Sequence, residues 1–109
     1  MTNTLRPVGV TAVSDGSFTT VYTVPGSTTF TASMLHVCNT TVAVVTVRVC
    51  LVPPAGSPGT DNAILWDFSI AANDVLELLK GDIWAEGSTL QAKASSAGVS
   101  LKLAGIESA

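Results

Sequence analysis

The sequence predicts an all-β fold, a single-domain antiparallel β-sandwich of jelly-roll or immunoglobulin-like type with about eight short strands. Three observations carry this reading. Apolar and polar residues alternate with a period of two, most plainly where Val45, Val47, Val49 and Leu51 fall on one face and Thr46, Arg48 and Cys50 on the other. Turn signals recur every ~8–12 residues, the spacing of a sandwich or small barrel. The chain has 109 residues, enough for one core and too few for a second domain.

Taken in order, residues 1–4 read as a flexible polar arm ahead of a sandwich domain over 5–109. Residues 5–13 are apolar and β-branched enough for a first strand, and Pro7 suits an edge position where a missing N–H does no harm. Ser14-Asp15-Gly16-Ser17 is a turn signal, because Asp and Gly tolerate positive φ. Phe18, Thr20, Tyr22 and Val24 then alternate with Thr19, Val21 and Thr23 in a second strand that Pro25-Gly26 ends.

Residues 30–38 and 42–52 read as a central hairpin turning at Asn39-Thr40-Thr41, with Cys38 opposite Ala43 and Cys50 opposite Thr31. In that register Phe30, Ala32, Met34 and His36 share the apolar face of the second strand. A second register brings Leu35 and Val37 there instead, and the residues leave both open.

Residues 53–61 hold Pro53, Pro54 and Pro58 with Gly56 and Gly59, which places an exposed, semi-rigid loop after the hairpin. Over residues 63–70, Ile64, Trp66, Phe68 and Ile70 alternate with Leu65, Asp67 and Ser69, a strand with Trp66 facing the core. Residues 72–81 fit either a short helix capped by Asn73 or Asp74 or another strand. A helix of under two turns is weak on its own and every flanking segment is strand, so strand is expected. Gly81-Asp82 and Glu86-Gly87-Ser88 are turns around a brief Ile83-Trp84 strand. Leu90, Ala92 and Ala94 alternate with Gln91, Lys93 and Ser95; after Ser96-Ala97-Gly98, Val99, Leu101 and Leu103 alternate with Ser100, Lys102 and Ala104.

Composition restricts function more than it defines it. Hydrophobic residues make up 47% and charged residues 12%, about half the usual charged share of ~25%. Such a chain is expected to show apolar patches and to associate with copies of itself or a partner. The net charge is −3, and the five Lys and Arg are spread singly from Arg6 to Lys102, so no basic patch is available for nucleic acid. The longest apolar run, residues 42–52, is broken by Thr46 and Arg48 and falls short of the ~20 residues of a membrane span. The start, Met1-Thr2-Asn3-Thr4-Leu5-Arg6-Pro7, shows no apolar segment of a secretory leader, and a soluble protein made without an export signal is expected.

No catalytic or metal-binding pattern stands out. His36 is the only histidine and shares a strand face with Cys38, a pair that could in principle activate a thiolate. A zinc site needs about four ligands, and no CxxC or second histidine supplies them. The acidic residues fall mostly in or beside turns, without the DxDxDG spacing of a calcium loop, and the glycines form no phosphate loop. Cys38 and Cys50 read as free thiols. No cofactor is called for and the chain is expected not to be an enzyme. Of the two tryptophans, Trp66 is expected in the core and Trp84, beside a turn, is a candidate for facing a partner.

Several segments together resemble a known group: Val21-Tyr22-Thr23-Val24-Pro25, Val37-Cys38-Asn39-Thr40-Thr41, Asn73-Asp74-Val75-Leu76-Glu77-Leu78, Ser95-Ser96-Ala97-Gly98-Val99-Ser100-Leu101, and the closing Gly105-Ile106-Glu107. In this order they are similar to small β-sandwich structural proteins of tailed bacteriophages. The resemblance covers about residues 18–107 and consists of turn and strand markers. It implies a virion component assembled in the host bacterial cytoplasm and without catalytic activity. One such role is a capsid decoration (cement) protein, a homotrimer bridging major capsid proteins. The other is a tail or neck accessory contacting other virion proteins. Thr2, Asn3 and Thr4 of the arm, Pro53, Pro54 and Pro58 of the loop, and Trp84 are the candidate contact residues. A small carbohydrate-binding sandwich is the alternative class, and it calls for exposed aromatics gathered on one face.

Overall fold

The computed structural model describes residues 3–13, 16–78 and 81–109, with side chains for all of these except 5–12. Among the described residues, nine strands follow one another as β1 (Asn3–Val13), β2 (Thr19–Thr23), β3 (Thr29–Asn39), β4 (Val45–Val52), β5 (Ala63–Ile70), β6 (Val75–Leu78), β7 (Asp82–Trp84), β8 (Thr89–Ala94) and β9 (Val99–Ser108), with a 3-10 turn at Thr60–Asn62. Segment 75–78 is strand, as its flanks suggested.

Two antiparallel sheets face each other. Sheet A runs β1-β9-β3-β6, with β7 also paired to β3, and sheet B runs β2-β8-β4-β5. If β6 and β7 are counted as one interrupted strand, the antiparallel pairs are first with last, second with second-last, and so on inward to β4 with β5. These four pairs alternate between the two sheets. That is a long hairpin rolled up on itself, the jelly roll, and it decides between the two sandwich types the sequence left open.

The central hairpin does not form. β3 belongs to sheet A and β4 to sheet B, and residues 40–44 carry the chain across the top of the sandwich. Cys38 lies beside Val75 and Ser100, and Cys50 beside Gln91 and Ala63. Both cysteines are free, one on the outer side of each sheet.

The core lies between the sheets: Leu35, Val37, Leu101 and Leu103 from sheet A meet Val45, Val47, Val49, Leu90 and Ala92 from sheet B. The two possible registers of β3 are both used. Phe30 and Ala32 face inward, Ser33 is an extra residue that shifts the pairing with β9, and Leu35 and Val37 face inward beyond it. β9 itself is regular over its whole length, while both neighbours slip at its Ala104, β3 through Ser33 and β1 between Pro7 and Gly9. At the lower end Tyr22, Phe30 and Trp84 stack in series, with ring centroids 4.7 and 5.3 Å apart, and join the two sheets.

Three further expectations are corrected. Asn3 and Thr4 are not a free arm: they pair with Ser108 and Glu107 at the start of β1, so the edge strand uses chain that looked too polar to order. Met1 and Thr2 lie outside the described residues, as do Ser14 and Asp15 of the first turn. Trp84 is 3% exposed, because the inward face of short β7 sets it on Phe30 rather than on a partner. Trp66 is on the outer face, half-buried, because β5 bulges at Trp66-Asp67. Both residues stand opposite Arg48, and Asp67 takes a φ of 53°.

Candidate interaction surfaces

One end of the sandwich is tied together by Asn39, which is fully buried. Its amide nitrogen lies within 3.1 Å of the carbonyl oxygens of Ala43, Ile70 and Ala71. Its amide oxygen accepts from the N–H and the hydroxyl of Thr41, at 3.0 and 2.7 Å. Thr40 donates to the Gly98 carbonyl through its backbone N–H (2.9 Å) and its hydroxyl (2.7 Å), and Asn73 N–H donates to the Thr41 carbonyl (3.1 Å). Three connections, 40–44, 71–74 and 95–98, are thereby clamped to one another. A buried amide with every polar atom engaged fixes geometry strongly, since any displacement strands several partners at once.

The clamped connection presents two apolar side chains to solvent. Val42 is 90% exposed and Val44 64%. Both are β-branched and had read as the start of a strand; in the fold they stand on the crossover between sheets. The outer face of sheet A adds Ile83 (73% exposed) and Ile106, which flank Thr31 in adjacent strands.

At the opposite end the proline loop is held down. Pro53 and Pro54 are exposed and Pro58 is half-buried. Gly56 N–H donates to the Pro53 carbonyl (2.9 Å), Asn62 bridges Ser57 and Gly59, and the Cys50 thiol lies 3.6 Å from the Gly59 carbonyl oxygen. The loop covers Cys50 and Val52 on the outer side of sheet B, so burial pushes the Cys50 thiol pKa up.

Every sheet edge is interrupted among the described residues. β1 carries Pro7 and a register slip after it, β2 slips at Val21, β5 bulges at Asp67, and the fourth edge is split between β6 and β7. Such edges resist strand-to-strand addition, which leaves loops and faces as the surfaces for association.

The chemistry weighed from sequence stays scattered. His36 and Cys38 share the outer face of sheet A; His36 Nε2 is 3.6 Å from Glu77 Oε2. No group of His, Cys, Asp and Glu that could hold a metal occurs among the described residues. No described helix is long and apolar enough to cross a membrane. On sheet B, Arg48 grips Asp67 with Nε and Nη2 at 2.7 and 3.1 Å and lies 4.0 Å over the Trp66 ring. The fork holds the Asp67 carboxyl below its ordinary pKa and raises that of Arg48.

The segments that carried the phage resemblance also find their places. Asn39, Thr41, Asn73, Asp74 and Gly98 meet at the Asn39 clamp, and Asp74 C=O accepts the Asn39 N–H at 2.9 Å. At the other end Tyr22 donates its hydroxyl to the buried Glu107 carboxylate, and Gly105 lies beside Phe30. Glu107 thus joins the two sheets. The motif residues are fasteners of the fold. No family model matches the chain, and no curated protein is similar enough to register a match.

Proposed function

We propose that this protein is a non-enzymatic structural component of a tailed bacteriophage particle, a capsid decoration protein that binds the shell as a homotrimer and bridges major capsid subunits. The observation that carries this reading is the pair Val42 and Val44, apolar side chains held out on a connection locked by the Asn39 clamp. Exposed valines on a rigid mount lose little entropy on docking, so each contact retains most of its apolar gain. Many weak, symmetric contacts then add through avidity.

The jelly-roll architecture supports the reading, since it recurs in viral capsid domains, although it recurs in lectins too. A carbohydrate-binding role is less well supported. Trp84 is buried and the Trp66 face is covered by Arg48, which leaves few aromatic faces for a sugar ring. Pro53 and Pro54, exposed at the far end, offer a second contact toward a neighbouring copy.

The test is addition of the purified protein to expanded phage heads that lack it. In this proposal it sediments with the heads as a trimer and raises their resistance to heat. Location of the protein on the tail or neck would favour the accessory role instead, and its absence from the particle would reject both.

A further inference from the structure

Arg48 and Lys93 stand directly opposite each other across the β4·β8 pair, on the outer face of sheet B. Like charges at directly opposed positions are destabilising, yet this chain, with only five Lys and Arg in all, sets two of them side by side. Arg48 is matched by Asp67. Lys93 has no carboxylate within ion-pair distance among the described residues; its ammonium lies 5.4 Å from the Phe18 ring centroid. A row thus crosses the sheet from Phe18 through Lys93 and Arg48 to Trp66, with a cation over an aromatic ring at each end.

Between the cations is a hollow of about 100 Å³ lined by Thr46, Arg48, Asp67, Lys93, Ala94 and Ser95. Its walls are held in place. The Thr46 N–H donates to Ser95 Oγ (3.1 Å) and the Ser95 N–H to the Thr46 carbonyl (2.9 Å), while Asp67 and Trp66 fix the guanidinium. The Asp67 fork uses two of the five guanidinium N–H groups, leaving three as donors. Lys93 and Ser95 line the same hollow and carry further donor groups.

We infer that this hollow is a carboxylate-binding site, with Lys93 and the free edge of Arg48 as its donors. Charge selects the ligand. Two cations and one carboxylate leave a single positive charge, which suits a monoanion better than a dianion such as phosphate. The carboxylate comes either from a small free acid or from an Asp or Glu side chain of a neighbouring protein. This site stands independently of the virion reading.

The experiment is an NMR titration of the isolated protein, following the Arg48 side-chain N–H and the backbone amides of Thr46, Lys93 and Ser95. The probes are sodium acetate and a blocked tripeptide with a central Glu, each against sodium chloride at equal ionic strength. The expected result is saturable shifts confined to these four residues, weakened about tenfold by Lys93→Met, since a charge-assisted hydrogen bond is lost. Tighter binding of the peptide assigns the site to a partner's side chain, and equal or tighter binding of acetate to a free acid. Lys93→Met relieves the like-charge pair while giving up the contacts with Phe18 and Asp67, so its melting temperature should stay close to that of the parent. Shifts that chloride reproduces, or an unchanged acetate response in Lys93→Met, would overturn the inference.

Discussion

Phe30 packs against Gly105 so closely that a Cβ at position 105 would stand 2.5 Å from the ring's Cζ and against the Thr31 carbonyl oxygen. Both residues are buried, and the same ring contacts Tyr22 and Trp84. Gly105→Ala should therefore lower stability by about 2 kcal/mol, within the usual range for overpacking a tight core. Chemical denaturation measures this, and a neutral outcome would mean that the ring can move aside.

Asn39→Ala removes the clamp at the other end. It takes the side-chain donor from the buried Ile70 carbonyl and the part-buried Ala71 carbonyl, while the Ala43 carbonyl keeps the Thr41 hydroxyl as a partner. A loss of about 3 kcal/mol is expected, since each stranded buried group costs ~1–3 kcal/mol and water re-enters part of the site. Hydrogen exchange should also quicken at Thr40, Thr41 and Asn73, whose N–H groups are held there.

The Arg48–Asp67 fork sets a pH dependence. Arg48 hydrogen bonds, and behind them its charge, lower the folded-state pKa of Asp67. The stabilisation is therefore complete above the ordinary carboxylate value of about 3.9 and is lost as pH falls through the lower folded value. Asp67 is exposed, so the effect is small and weakens with salt. Melting temperature plotted against pH should show a shallower acid limb in Asp67→Asn than in the parent protein.

Cys50 titrates in the opposite sense. Burial raises its folded-state pKa, so its contribution is present below the unfolded value of about 8.5 and is lost as pH rises through the folded one. A thiol reagent at pH 8 should modify half-buried Cys38 first. Cys50 should react only as the 53–62 loop opens or the protein unfolds. Equal rates at the two thiols would contradict the loop packing.

Much of the fold was legible in the sequence, because a half-buried strand must alternate. Leu90, Ala92 and Ala94, and Val99, Leu101 and Leu103, face the core as their spacing required. The errors arose where an extra residue shifts the period. Ser33 let both registers of β3 be true in turn, and the bulge at Trp66-Asp67 put Trp66 outside. The missing hairpin has a different cause. Asn39-Thr40-Thr41 carries ordinary turn chemistry, and only the contacts of the buried Asn39 side chain, made with residues about 30 positions away, show that the chain crosses between sheets there. Val42 and Val44 were hidden for the same reason, since β-branched residues after a turn read as strand. The meeting of Arg48 with Lys93 depends on the β4·β8 pairing, which no local pattern encodes.

The central claim is that Val42 and Val44 are contact residues rather than parts of the fold, and the double variant Val42→Ser, Val44→Ser tests it most directly. Both side chains are exposed, so stability should stay within about 0.5 kcal/mol of the parent protein. Co-sedimentation with expanded phage heads should nevertheless be lost. A variant that folds normally and still sediments with the heads as the parent does would contradict the account.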